Sequence, residues 1–245
     1  MINKLKQKYK SALKKIKWKF KLKFSKKIYV SFGENCLPDN ILERHKLKSL
    51  TSPYSHGRTN IEYILLLERD NYKDFLNPDY LKYEMVDGKK LAPRLKKYTE
   101  ITNKYNQAQM NGFEFTHHDV IKSINLRKKF EERVKKIQSF IGQKKYIILY
   151  HHRYNENTNL EQLILNLKEL KELYSGNKNL AEVICFTQNI VETPNERNVE
   201  FFNREGIHLI KFNTLNLWEG ENDDIFWART DEDLIVKMID YLKKI

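Results

Sequence analysis

At 245 residues the chain is long enough for one large domain with a well-formed core. Its formal charge of +13 arises from 45 Lys and Arg against 32 Asp and Glu, but residues 1–27 alone hold twelve Lys and no acid, so a basic partner surface is confined to one end. Two cysteines, Cys36 and Cys185, exclude a disulfide scaffold and fit a reducing compartment, while no run approaches the roughly 18 apolar residues of a membrane span and no signal peptide is apparent.

In residues 1–27, Ile2, Leu5, Tyr9, Leu13, Ile16, Phe20 and Phe24 recur every three or four positions, with lysines between them. That spacing predicts a basic amphipathic helix, which an anionic membrane surface would hold through both apolar burial and charge. Nucleic acid, reached through phosphate contacts, is the disfavoured partner. A solvated tail or a helix packed on the body is the plain alternative. The expected location is cytoplasmic, peripheral at the inner face of the membrane, and the division is 1–27 as a basic segment and 28–245 as an α/β catalytic-type domain.

The stretch from Ile28 to Asn40 reads as a strand, a tight turn and a helix start: Ile28, Tyr29, Val30 and Phe32 suit a buried strand, Gly33 a sharp turn and Pro38 a first helical turn. Cys36 then falls beside a helix N-terminus, where the dipole and unpaired N–H groups favour a thiolate. The polar Gly33-Glu34-Asn35 surround makes poor core material, whereas a small buried hydrophobe is the plain reading of a free cysteine. A short helix is expected over 40–46, a loop over 49–57 and a helix resuming near Asn60. The Lys- and Tyr-rich tract 71–111 has no organisation readable from its pattern; a helical insertion covering the site and irregular surface both fit it.

Further along, a short strand at 113–116 ends in His117-His118-Asp119 and precedes a helix over 123–140. A strand at 146–150 ends in His151-His152-Arg153 and precedes a helix over 159–174. Strands at 183–186 and 207–212 follow, and a helix over 231–244 closes the chain. This alternation predicts a three-layer α/β domain, a mostly parallel sheet with helices on both faces. Ligands of such sheets bind beyond the carboxyl ends of the strands, where this sequence concentrates Cys, His, Arg, Gln and Asn.

Cys36 as nucleophile, His118 or His117 as base and Asp119 as orienting acceptor make up the expected catalytic set for attack on a carbonyl. Asn35, His56 and Arg153 are the expected substrate contacts, with Arg153 on an anionic group. A competing reading takes His117, His118, Asp119, His151 and His152 as metal ligands; a third takes these residues as caps of strand ends and helix starts. No Gly-rich dinucleotide fingerprint, P-loop or Gly-x-Ser-x-Gly elbow occurs.

The run Tyr29-Val30-Ser31-Phe32-Gly33-Glu34-Asn35-Cys36 followed by Ser52-Pro53-Tyr54 resembles a bacterial domain-of-unknown-function family described as putative papain-like cysteine peptidases. His118-Asp119 and Arg153 look similar to its His-Asp and Arg positions. Where that family has Asp-Trp, this chain has Ser55-His56, which makes His56 a further candidate base. The Gly-x-Asn-Cys turn is also similar to that of capsule-biosynthesis acetyltransferases using an acyl-CoA donor. Both resemblances imply acyl transfer at Cys36 onto water or a sugar hydroxyl of a cell-surface polysaccharide. A small-molecule or glycan substrate is expected, no cofactor is required, and coenzyme A is the acyl donor in the transferase case. A non-catalytic, membrane-docked binding protein is the alternative of a different class.

Overall fold

The computed structural model describes residues 25–86, 90–95, 112–156, 158–178 and 180–245, together with Tyr9, Leu22 and Phe24. In chain order these form β1 (Lys27–Gly33), α1 (Leu37–Arg44), α2 (Ile61–Arg69), β2 (Leu81–Val86), β3 (Lys90–Leu95), β4 (Phe113–Glu114), α3 (Ile124–Gln138) and β5 (Lys145–His151). They continue as α4 (Leu160–Ser175), β6 (Ala181–Ile190), β7 (Asn198–Arg204), β8 (Ile207–Thr214), α5 (Asp223–Phe226) and α6 (Glu232–Lys244). The main sheet has the order β1-β5-β6-β8-β7. Its first four strands run parallel and β7 pairs antiparallel with β8. A smaller antiparallel sheet, β2-β3-β4, is built by the middle of the chain.

Strand periodicity sorts the core into two halves. Ile28, Val30 and Phe32, Tyr146, Ile148 and Tyr150, and Val183 and Cys185 face one side, where α2, α3 and α4 bring Ile64, Phe130, Leu163 and Leu167. Ile147, Leu149, Ile184, Phe186, Ile210 and Phe212 face the other, against Leu37 and Ile41 of α1 and Leu234, Met238 and Leu242 of α6. The expected three-layer α/β architecture is therefore present. Asn60, Ser123 and Asn159 each accept a backbone N–H at the start of their helix, which fixes where α2, α3 and α4 begin.

Three local expectations are corrected. The first helix starts at Leu37 rather than at 40, because Cys36 already occupies its N-cap and Pro38 sits in its first turn. In the tract 71–111 the described residues include the hairpin of β2 and β3, where a helical insertion or irregular surface is the expectation; residues 87–89 and 96–111 lie outside the described residues. Strand β7 had no expectation at all; it is an edge strand, half-buried or exposed along its whole length. Of the basic segment, Leu22 is only 8 % exposed and belongs to the core, whereas Tyr9 and Phe24 are exposed. Ile2, Leu5, Leu13, Ile16 and Phe20 lie outside the described residues.

Candidate active site

Strand β1 ends at Gly33, whose φ of +132° and close approach to β5 both require glycine. A Cβ there would lie 2.9 Å from the His151 nitrogen and 3.0 Å from its oxygen. The turn that follows folds inward. Glu34 is wholly buried; its Oε2 accepts the Arg153 N–H at 2.9 Å and its Oε1 lies 2.8 Å from His152 Nδ1. Asn35 Oδ1 accepts the Leu37 N–H at 3.1 Å and lies 3.2 Å from His151 Nδ1. The expectation that this Gly-Glu-Asn run avoids the interior is thus reversed, since the Glu34 carboxylate and the Asn35 Oδ1 are buried together with their partners, while Asn35 Nδ2 is buried without one. His151, stacked on Phe186 with ring centroids 4.6 Å apart, is held well below the usual histidine range by burial, with Arg153 and His152 acting the same way. It is neutral, and its Nδ1–H is assigned as donor to Asn35.

These contacts deliver Cys36 to the N-cap of α1 with its side chain making no cap bond. The thiol is half-buried, and no described side chain hydrogen-bonds it. Burial pushes its pKa up, against the lowering effect of its own backbone N–H and of the Arg58 and Arg153 cations; Asp39 adds to the rise. The direction is opposite to the expected thiolate, because desolvation of the charged form outweighs the helix terminus and both arginines. Cys185 is fully buried and its thiol is pushed up further by the same cause, as expected of a core cysteine.

Beneath Cys36 lies a buried polar layer that sequence reading missed. Asp39 accepts from Ser31 Oγ at 2.9 Å and pairs with Lys48 Nζ at 2.6 Å. Ser31 Oγ is 3.1 Å from Ser55 Oγ, and Ser52 Oγ donates to the Ser31 carbonyl at 2.8 Å. The short 3-10 turn Pro53–His56 is tied to β1 in this way, which positions His56. Gly57 then lets the loop press on β4; a Cβ there would meet the Phe113 ring at 2.4 Å.

His56, His117 and His118 come together, with ring centroids 5.7 Å apart for His56–His118 and 6.5 Å for His56–His117. Burial, reinforced by Arg133 and the two neighbouring histidines, lowers His118 to about 4. Its Nδ1 is buried without a hydrogen-bond partner. Burial likewise lowers His56, which feels Asp39 in the opposite sense. His117 is exposed. Asp119 accepts from Tyr83 Oη at 2.8 and 2.9 Å and from the Lys122 N–H at 3.0 Å, so its carboxylate is engaged by its own turn and by β2 rather than by a histidine. Arg153, half-buried, has no acidic partner among the described residues. With His151, Tyr154 and Trp218 it lines a cavity of about 210 Å³.

The structure therefore groups the predicted residues into Cys36 with Asn35 and Arg153 at the carboxyl ends of β1 and β5, and His56, His117 and His118 in a second cluster; the Asp39 charge acts on both Cys36 and His56. Among the described residues no three His, Cys, Asp or Glu side chains are placed to hold a metal ion; His151 and His152 are engaged by Asn35 and Glu34, apart from the other cluster. Arg58 and Arg133 were not anticipated, and only the proximity of Arg58 to His56 in the chain could have pointed to it.

A family model described as putative papain-like cysteine peptidase matches residues 27–190, more than half of the chain. The match runs from β1 through β6 and includes Cys36, the three clustered histidines and Arg153. No curated protein and no solved structure matches, so the likeness to capsule acetyltransferases has no support from that side.

Proposed function

The chain belongs to the family described as putative papain-like cysteine peptidases, and from that premise we propose that it is an enzyme whose Cys36 thiol carries out acyl transfer. One observation carries the reading: a half-buried cysteine occupies a helix N-cap, caps nothing and is flanked by the Arg58 and Arg153 cations. The surrounding sequence Asn35-Cys36-Leu37-Pro38 lacks the local papain signature, and the parallel sheet supplies a different frame for the nucleophile.

In the proposed reaction a neutral histidine, His118 with His56 beside it, takes the Cys36 proton as sulfur attacks a substrate carbonyl carbon. The α1 N-terminus and the nearby arginines favour the oxyanion that forms. When the tetrahedral adduct collapses, the bond to the leaving group breaks and that group recovers the proton from the imidazolium. Water or a hydroxyl then attacks the thioester, its proton passing to the same histidine, and the thiol is restored. Because the resting thiol is pushed up and His118 down, the proton stays on sulfur until substrate arrives.

Water makes this a hydrolase. A cell-surface glycan hydroxyl with coenzyme A as acyl donor is proposed only on the turn from Gly33 to Cys36. Intact-mass measurement after exposure to p-nitrophenyl acetate tests the nucleophile: one acetyl group on Cys36 is expected, absent from Cys36→Ser. A Cys36→Ser protein that releases p-nitrophenol as fast as the native one removes Cys36 from the reaction. Bound coenzyme A in freshly denatured protein would select the transferase.

A further inference from the structure

The main sheet is covered unevenly. Each parallel crossover from β1 to β5 and from β5 to β6 lays helices on the face that carries Val30, Ile148 and Cys185. The passage from β6 to β8 runs instead through the antiparallel strand β7, and no helix intervenes. Among the described residues, β8 and β7 have no cover on that face beyond the first turns of α4. The consequence is a cavity of about 360 Å³, walled by Leu160 and Leu163 of α4, Cys185 of β6, Leu209 of β8 and Phe202 of β7. Phe202 is 49 % exposed at its rim.

Tyr154 and Gln188 line this cavity and also the one that holds Arg153, so the two are neighbours across these side chains. Gln188 is held in place: its Nε2 donates to Thr214 Oγ1 at 2.6 Å and to the Asn216 carbonyl at 2.7 Å, and its Oε1 accepts the Trp218 N–H at 3.0 Å. Asn189 Nδ2 donates to Asn213 Oδ1 at 2.9 Å. The larger chamber is lined mostly by apolar carbon, with the Thr187 hydroxyl and the Lys211 ammonium among its polar groups, and in the smaller one Arg153 has no acidic partner among the described residues. Apolar walls select an apolar ligand, and an unpaired cation selects an anionic or strongly polarised end.

We propose that the larger cavity receives the hydrocarbon tail of an acyl substrate, whose carboxyl-derived head passes Tyr154 and Gln188 to Arg153 on the way to Cys36. The delivery to Cys36 rests on the function proposed above; the binding of the tail does not. Asn35 joins the two regions, since it precedes Cys36 and holds His151 in the wall of the Arg153 cavity.

Titration calorimetry on the full chain with butyrate and octanoate tests the binding directly. Each methylene buried raises affinity roughly three- to fourfold, so octanoate is expected to bind roughly a hundredfold tighter than butyrate. Leu209→Trp, which fills the chamber, and Phe202→Asp, which places a charge at its rim, should each abolish that discrimination; the exposed Phe202 variant decides if Leu209→Trp fails to fold. Arg153→Gln should weaken both ligands and leave their ratio intact. Equal affinities for the two carboxylates in the native protein, or discrimination that survives Phe202→Asp in a folded protein, overturns the proposal. Cys36→Ser should bind octanoate as the native chain does, so a failure of the nucleophile reading shows in acylation and leaves this result standing.

Discussion

Cys36 shows how residue type and residue state part company. The motif makes it a candidate nucleophile, but its protonation is decided by neighbours brought from Arg58 and Arg153 and by burial, which wins. Brief iodoacetamide labelling should therefore be slow near pH 7 and rise into the alkaline range. Arg153→Gln, which removes one lowering charge, should slow it severalfold further at a fixed pH. Labelling that is already maximal at pH 7 would mean that the helix terminus dominates after all. A second buried acid makes the same point. Glu68, which accepts from Tyr54, Tyr72 and Tyr174, is raised to about 7 by burial despite those three donors. A carboxyl whose folded pKa lies above its unfolded one holds its proton more tightly when folded. Its stabilisation is complete below the unfolded value and is lost as pH rises through about 7. The native protein should thus lose up to about 3 kcal/mol relative to Glu68→Gln between pH 4.5 and pH 8; parallel urea-stability curves for the two proteins would refute this.

At the scale of elements, what the sequence makes legible is whatever a local period encodes. Alternating Ile28, Val30 and Phe32, the Gly33 turn and Pro38 mark the β1–α1 junction without any knowledge of the rest of the chain. The β7 edge has no such period because neither face is fully covered. The β2–β3 hairpin is hidden by Pro93, which sits opposite Tyr83 in the middle of the ladder and argues against a strand when read alone. The histidine cluster is a product of tertiary contact: His56 reaches His118 only because Ser52 and Ser55 bind Ser31 and because Gly57 admits Phe113. The junction at Gly33 should be unforgiving. Gly33→Ala combines a disfavoured φ of +132° with a Cβ 2.9 Å from backbone, and should cost about 2–4 kcal/mol. Gly142→Ala, at a φ of +70° with nothing within 4 Å, should cost about 1 kcal/mol. Equal midpoints for the two variants in urea would show that β1 and β5 can separate at that point without penalty.

The whole molecule sets a nearly neutral α/β body against a concentrated basic end, and the join between them is structural. Strand β1 already begins at Lys27; Leu22 packs into the core, and Lys144 Nζ donates to the carbonyls of Leu22 at 2.9 Å and Ser25 at 2.6 Å. The residues just before β1 therefore serve the body, while Tyr9 and Phe24 remain exposed. Among the described residues no helix is long and apolar enough to cross a membrane. Attachment of residues 1–27 to an anionic surface is proposed on the sequence pattern alone, each lysine near such lipid adding about 1 kcal/mol. Two deletions separate the roles. Removing residues 1–21 should leave the urea midpoint close to that of the full chain and abolish co-sedimentation with anionic vesicles, which in the full chain should weaken as the Debye length falls from about 10 Å at 0.1 M salt to about 3 Å at 1 M. Removing residues 1–27 should in addition destabilise the body by about 2 kcal/mol or more, since the burial of Leu22 and the partners of Lys144 are lost together. Equal binding of the full chain to neutral and anionic vesicles would remove the electrostatic attachment, and equal stability of the two truncated proteins would show that Leu22 contributes nothing to the core in which it is buried.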